Sequence, residues 1–140
     1  MLKAIVDTDI LSEILAGVDR QVLMNASEYI ARYHALTFTS VTTYEIITGL
    51  ERIKAYAKLH RAKQIFNRNE EIVPVSEDYV LAGQILGTLR RTGKEVGYSD
   101  PLITACAIRG GFTVVTGNLK HFKFIVTAGF ELDLVNWRSI

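Results

Sequence analysis

The chain has 140 residues, of which 49% are hydrophobic and 22% are charged, and its formal net charge at pH 7 is +1. This length and composition predict a single globular domain, residues 1–140, and the low net charge excludes a strongly basic coat protein for nucleic acid. The single cysteine, Cys106, excludes an internal disulfide, and no apolar run reaches the ~20 residues of a membrane span, so we expect a cytoplasmic location.

Short apolar runs and longer amphipathic stretches alternate along the first half of the chain. Strands are predicted at residues 2–6 and 36–39, and helices at residues 10–16, 18–34 and 54–69. Thr42 or Thr43 is predicted to cap a further helix, with Glu45 at the border of its apolar stripe. That stripe consists of Tyr44, Ile47, Leu50 and Ile53.

The second half continues the alternation. Strands are predicted at residues 71–75, 112–116 and 132–135, with a helix at 77–92 capped by Ser76 and a helical turn at 118–122. An apolar helix follows Asp100, which takes the N-cap position, and Pro101, which takes the first helical position. Strands alternating with helices predict an α/β fold, with a mostly parallel sheet covered by helices on both faces.

Polar side chains follow the predicted strands where a parallel sheet places its binding sites. Asp7 ends the first strand, Thr116 and Asn118 follow the fourth, Glu45 lies early in the helix after the second, and Asp100 opens the apolar helix. We therefore expect these side chains to converge at one edge of the sheet. Asp100 as a simple helix cap and Glu45 on an exposed helix flank are the alternative interpretations.

Three carboxylates around one point repel one another unless a cation joins them. Because oxygen ligands select hard ions, Asp7, Glu45 and Asp100 predict a Mg²⁺ or Mn²⁺ site. Such a site suits metal-assisted hydrolysis of a phosphodiester. Asn118 could bind the ion through its carbonyl or orient a water, and Thr116 could fix a neighbouring carboxylate.

Four stretches of the chain, in family order, resemble the motifs of PIN-domain ribonucleases, most closely the toxins of VapBC toxin–antitoxin systems. They are residues 4–13 (AIVDTDILSE), 39–45 (TSVTTYE), 98–107 (YSDPLITACA) and 114–122 (VVTGNLKHF), and residues 135–137 (VNW) resemble the usual ending.

The resemblance implies a three-layer α/β/α PIN fold with about five parallel strands and a Mg²⁺-dependent endoribonuclease. It assigns Asp7, Glu45 and Asp100 to the metal site, Asn118 to the fourth catalytic position, and Thr8 with Thr116 to supporting roles. It also implies an antitoxin partner and a homodimer, and we expect no DNA contact by this chain alone.

Three positions depart from the family pattern. Pro101 stands where a small residue is more usual, and it should stiffen the start of the helix without removing the acid. Asp9 stands where Asn is common, so it either adds charge near the metal or only favours the start of a helix. Gly117 stands where Arg is common, which removes one candidate phosphate contact. Further polar residues flank the third and fourth motifs and are either RNA contacts or ordinary solvated surface: Arg90, Arg91, Lys94, Lys120 and His121.

Other interpretations of the same residues remain open. In a haloacid-dehalogenase-type phosphatase Asp7 would be a covalent nucleophile and Asp9 a general acid, but Glu45 would then have no role. The chain could also be a catalytically silent module that binds only an antitoxin or RNA. Tyr56, Leu59, Ile65 and Phe66 lie where these toxins hold their antitoxin, or else they belong to the core.

Overall fold

The structure is a computed structural model that describes residues 1–138. In chain order its elements are β1 (Ala4–Val6), α1 (Thr8–Ala16), α2 (Arg20–Tyr33), β2 (Thr37–Thr39), α3 (Ser40–Arg52), α4 (Tyr56–Arg68), β3 (Glu70–Ile72), α5 (Ser76–Arg91), α6 (Ser99–Gly110), β4 (Thr113–Val115), α7 (Leu119–Thr127) and β5 (Leu134–Val135). The alternation of strands and helices is the predicted one, and the α/β class is confirmed.

All strand pairs in the described residues are parallel, but they form two separate sheets. The first sheet has the order β1-β4-β5, with Ile5 opposite Val114, and the second sheet pairs β2 with β3. β2 lies beside β1, although no ladder of hydrogen bonds joins them. The strands are shorter than predicted. β1 and β2 end at the predicted residues, Val6 and Thr39, but begin one or two residues later, and β3 ends at Ile72.

Alternate residues of the central strands face two different hydrophobic clusters, which shows that helices cover both faces of the sheet. Ala4 and Val6 belong to a cluster with α1, α2, α3 and α4, whereas Ile5 and Val114 belong to one with α5, α6 and α7. Side chains of a strand point alternately to opposite faces, so this division follows directly from the strand geometry. The three-layer arrangement is confirmed.

Three predicted helix starts are wrong. Thr39, not Thr42 or Thr43, caps α3, because its side-chain oxygen accepts the Thr42 N–H at 3.4 Å. In α5, Ser76 is already helical. In α6 the helix begins at Ser99, so Asp100 lies inside its first turn and does not occupy the cap position. An N-cap signal in the sequence is displaced easily by one or two residues, since several polar residues stand side by side.

The apolar stripe predicted for α3 is also wrong at two positions. Tyr44 and Ile53 are 77% and 63% exposed, and Ile46 is the buried apolar residue of that helix. In α4, Tyr56 is exposed and Phe66 is buried. The apolar character of α6 is confirmed, because the helix is buried on most sides. Within residues 1–138 no helix is long and apolar enough to cross a membrane.

Candidate active site

Asp7 lies at the carboxyl end of β1, the strand that stands between β4 and β2. Its backbone N–H donates to Val115 O at 2.8 Å, and its Oδ1 caps α1 by accepting the Thr8 N–H at 2.8 Å. The residue is 5% exposed. A carboxylate is thus held at the end of a buried strand, where removal from water makes its charge costly.

Thr116, at the end of β4, joins the fourth motif to Asp7. Its hydroxyl donates to Asp7 Oδ2 at 2.8 Å and accepts the backbone N–H of Asn118 at 3.0 Å. The hydroxyl is fully buried, so both bonds are shielded from water. Thr116 therefore fixes the orientation of Asp7 and the turn that carries Asn118.

Thr8 connects α1 to α3 and holds the second acid. Its hydroxyl donates to Glu45 Oε1 at 2.7 Å and lies 3.0 Å from Thr42 Oγ1. Because Thr8 directly follows Asp7, this bond places Glu45 beside the first acid. Thr42 was predicted only as a helix cap; its contact with Thr8 depends on packing between helices that sequence spacing does not reveal.

Asp100 enters the site from the first turn of α6, and its side chain is 19% exposed. His121 Nδ1 lies 3.7 Å from Asp100 Oδ2 and 2.9 Å from Asn118 Nδ2. Asn118 and His121 are thus neighbours at the start of α7, on the side of the site that carries Asp100. The carboxylates of Asp7, Glu45 and Asp100 are called the acid centre below.

Burial and mutual repulsion raise the pKa values of two of these acids. The pKa of Asp7 is raised to about 7, first by burial and then by the charges of Asp9 and Asp100, against the hydrogen bond from Thr116. Burial raises the pKa of Asp100 to about 6; His121 opposes the rise, and the charges of Glu45 and Asp9 add to it. Asp7 and Asp100 therefore both feel neighbouring carboxylates, and a cation among them would remove the conflict.

The donor set suits a hard divalent cation, because it consists of carboxylate oxygens that destabilise one another when ionised. Within the described residues, however, no three Asp, Glu, His or Cys side chains are close enough to form a ready-made metal site. The chemistry of Asp7, Glu45 and Asp100 therefore fits Mg²⁺ or Mn²⁺, and the side chains must approach one another to bind it.

Asp9 lies beside the acid centre and is engaged by contacts that the sequence did not indicate. Its Oδ1 accepts the Ile10 N–H at 2.8 Å, and its Oδ2 accepts the Gly117 N–H at 2.9 Å. Arg138 Nη1 lies 3.3 Å from the same Oδ2, and the Arg138 guanidinium also binds Glu13. Arg138 was missed because it is 129 positions away from Asp9 in the chain and belongs to no motif.

The predicted RNA-contact residues divide into two groups. Arg90 stacks on Tyr98 at 5.0 Å from the ring centroid, and Lys94 lies 4.7 Å from that of Phe124, which in turn stacks on His121. These cations are therefore linked through aromatic rings to the side of the acid centre that carries Asp100. Arg91 and Lys120 are exposed on α5 and α7.

Comparisons with known proteins agree with this geometry. Residues 4–125 match the model of the PIN domain. Ribonuclease VapC2 of Rickettsia felis is 29% identical over 114 residues, which cover 81% of this chain and 82% of that protein. The fold is similar to VapBC2 of Rickettsia felis bound to a promoter DNA fragment, with a TM-score of 0.81, 24% identity and coverage of 97% and 99% of the two chains. It is equally similar to DNA-bound VapBC of Salmonella typhimurium, with a TM-score of 0.81, 25% identity and coverage of 98% and 99%. This chain belongs to the PIN domain family.

Proposed function

We propose that this chain is a metal-dependent endoribonuclease, the toxin of a VapBC-type toxin–antitoxin pair. The observation that carries the proposal is the convergence of Asp7, Glu45 and Asp100 at one edge of the sheet, where burial and repulsion raise two of their pKa values. Membership of the PIN family removes the phosphatase alternative, and the similar protein of Rickettsia felis is named a ribonuclease.

The residues have separable roles in the proposed reaction. Asp7, Glu45 and Asp100 would hold Mg²⁺ or Mn²⁺, which supplies charge stabilisation and makes water a stronger nucleophile at neutral pH. Thr116 orients Asp7, and Thr8 orients Glu45, through the hydrogen bonds that their hydroxyls donate. Asn118 is a neighbour of Asp100 through His121, so its amide can orient the attacking water or the phosphate.

Cleavage of RNA tests this function directly. Purified protein is incubated with a pool of structured RNAs in Mg²⁺, in Mn²⁺ and in EDTA, and the products are separated on a denaturing gel. We expect discrete cleavage with either metal and none in EDTA, because the acids alone cannot stabilise the charge of the transition state. Cleavage that persists in EDTA would contradict the metal mechanism. Metal and RNA binding without cleavage would instead favour the binding-only module.

RNA is proposed to reach the acid centre along the basic and aromatic surface formed by Arg90, Lys94, Tyr98, His121 and Phe124. Tyr98 is 74% exposed and stands two positions before Asp100, which leaves its ring available for stacking on a base. Arg90 lies over the ring of Tyr98, and Lys94 lies over the ring of Phe124. A base stacked on this surface would bring its phosphates close to the two cations. Arg91 and Lys120 are proposed to contact the same RNA farther from the acid centre.

The salt dependence of RNA binding distinguishes phosphate contacts from ordinary surface charges. Replacement of Arg90 or Lys94 by Ala should weaken binding and reduce the slope of log affinity against log salt by about 0.7 per lost contact with single-stranded RNA. Fluorescence anisotropy with a labelled oligoribonucleotide measures both quantities. Lys63→Ala on the exposed surface of α4 is the matched control, and equal slopes in all three variants would refute the path.

An antitoxin partner is proposed to bind the groove between α1, α3 and α4. This groove, of about 320 Å³, is lined mainly by apolar residues, with Lys58 and Arg61 as its cations. Its shape suits an amphipathic helix with acidic side chains at its border. Co-expression with a candidate antitoxin, followed by co-purification and light scattering, tests this complex and the expected homodimer. Elution of the two proteins separately would count against the pairing.

A further inference from the structure

Asp9 is a fourth carboxylate beside the acid centre, and its contacts leave it poorly placed to be a ligand. Both of its oxygens already accept backbone N–H groups, from Ile10 and Gly117. Its charge nevertheless lies beside the acid centre, since Asp9 is two positions after Asp7 and binds Gly117, which stands between Thr116 and Asn118. A charge so close to three other carboxylates requires compensation.

The Arg138 guanidinium supplies that compensation from the opposite end of the chain. Nη1 lies 3.3 Å from Asp9 Oδ2, and the rest of the guanidinium is bound by Glu13 on the same helix as Asp9. Arg138 is only 33% exposed, so its ion pairs are partly shielded from water. The guanidinium is therefore fixed by two carboxylates, of which Asp9 is the nearer to Asp7 along α1.

The residue at position 117 makes this arrangement sterically possible. A Cβ on Gly117 would collide with Arg138 Nη1 and would lie 2.7 Å from Asp9 Oδ2. The glycine thus lets the guanidinium and the carboxylate close over the turn that leads to Asn118. A side chain at position 117 would therefore separate the Arg138 guanidinium from the Asp9 carboxylate.

We propose that Arg138 is a positioning residue that neutralises Asp9 and keeps it out of the metal-binding set, so that the ion is held by Asp7, Glu45 and Asp100. The inference rests on the proposed function, because it concerns the metal of that reaction. Without Arg138, the Asp9 charge would add to the acid centre and strengthen its attraction for a cation.

Calorimetric titration of Mn²⁺ into the metal-free full-length chain at pH 7.5 tests the inference without measuring cleavage. Arg138→Ala should bind Mn²⁺ about fivefold or more tightly than the parent, and Arg138→Lys, which keeps the charge, should resemble the parent. Adding Asp9→Asn to Arg138→Ala should return the affinity to within about twofold of the parent. Arg138→Gln replaces Arg138→Ala if the latter does not fold.

Glu13 provides the matched control, since it is the other carboxylate that Arg138 binds. Glu13→Gln combined with Arg138→Ala should keep the tighter binding, because Glu13 lies about one helical turn farther from Asp7 along α1 than Asp9 does. Equal affinities of Arg138→Ala and the parent, or restoration by Glu13→Gln as well as by Asp9→Asn, would show that Arg138 only fastens the end of the chain. Absence of Mn²⁺ binding by the parent would overturn the proposed function, and this inference with it.

Discussion

Asp7→Asn is expected to lower RNA cleavage by about 100-fold or more, while leaving the fold intact. The variant removes one carboxylate from the acid centre but keeps a side chain of the same shape, which can still accept the Thr8 N–H and cap α1. Cleavage rates under saturating Mg²⁺ measure the loss. Asp133→Asn, at an exposed acid before β5, is the control that should retain parental activity.

The same variant should be more stable than the parent in EDTA at high pH. The pKa of Asp7 in the folded chain is about 7, against an ordinary value of 3.8, so the folded state binds more protons than the unfolded state between these values. Stability of the metal-free parent therefore falls as the pH rises from about 4 through 7, and Asn at position 7 removes this loss. We expect the melting temperature at pH 8 to rise by about 3 °C or more. Thermal unfolding at pH 5 and pH 8 measures it, and a less stable variant would show that Asp7 has a structural role.

Asp78→Ala should produce the largest loss of stability, because Asp78 is 1% exposed and joins α5 to α6. Its carboxylate accepts two hydrogen bonds from Arg109, at 2.8 and 2.9 Å, and one from the Val75 N–H at 2.8 Å. The substitution removes the bond that caps α5 and the bonds from Arg109, whose side chain is 38% exposed and can turn to water, so we expect the free energy of unfolding to fall by about 1–3 kcal/mol. Urea unfolding measures the change, with Glu77→Ala at the exposed neighbouring acid as the control.

Acid should remove part of the same contribution. Burial alone would raise the pKa of Asp78, but the hydrogen bonds from Arg109 and Val75 outweigh it and hold the pKa below 3.8. A lowered pKa means that the pair contributes its full stability above about pH 4 and loses it as the pH falls through the folded pKa. The parent should therefore show a steeper loss of stability below pH 4 than Asp78→Ala. Equal slopes, or equal effects of Asp78→Ala and Glu77→Ala, would mean that Arg109 finds other partners.

The sequence was most informative for residues that directly follow a buried strand. Asp7 and Thr116 directly follow the buried strands β1 and β4, which are paired neighbours, so their meeting could be predicted from strand ends alone. Glu45 was predicted from its position shortly after β2. The hydrogen bond by which the Thr8 hydroxyl holds Glu45 was not predicted. The roles of these residues in cleavage stay predictions.

The failures of prediction have physical causes. The start of α6 was misplaced because Tyr98, Ser99 and Asp100 are all able to stand near a helix end, and local propensity does not choose between them. The pairs Asp78–Arg109 and Asp9–Arg138 join distant parts of the chain, and they arise from packing that no spacing rule describes. Charged pairs of this kind become visible only when the helices have been placed.

The acid centre is built from residues of two different sheets, which are not joined by backbone hydrogen bonds between their strands. Asp7 and Thr116 follow β1 and β4, and the hydrogen bonds between these two strands fix the separation of the two residues. Glu45 lies on α3, which follows β2 in the other sheet. Side-chain packing and the bonds of Thr8 span the boundary, and such contacts yield more readily than a ladder of backbone hydrogen bonds. An ion that drew Glu45 toward Asp7 would therefore break no strand pair.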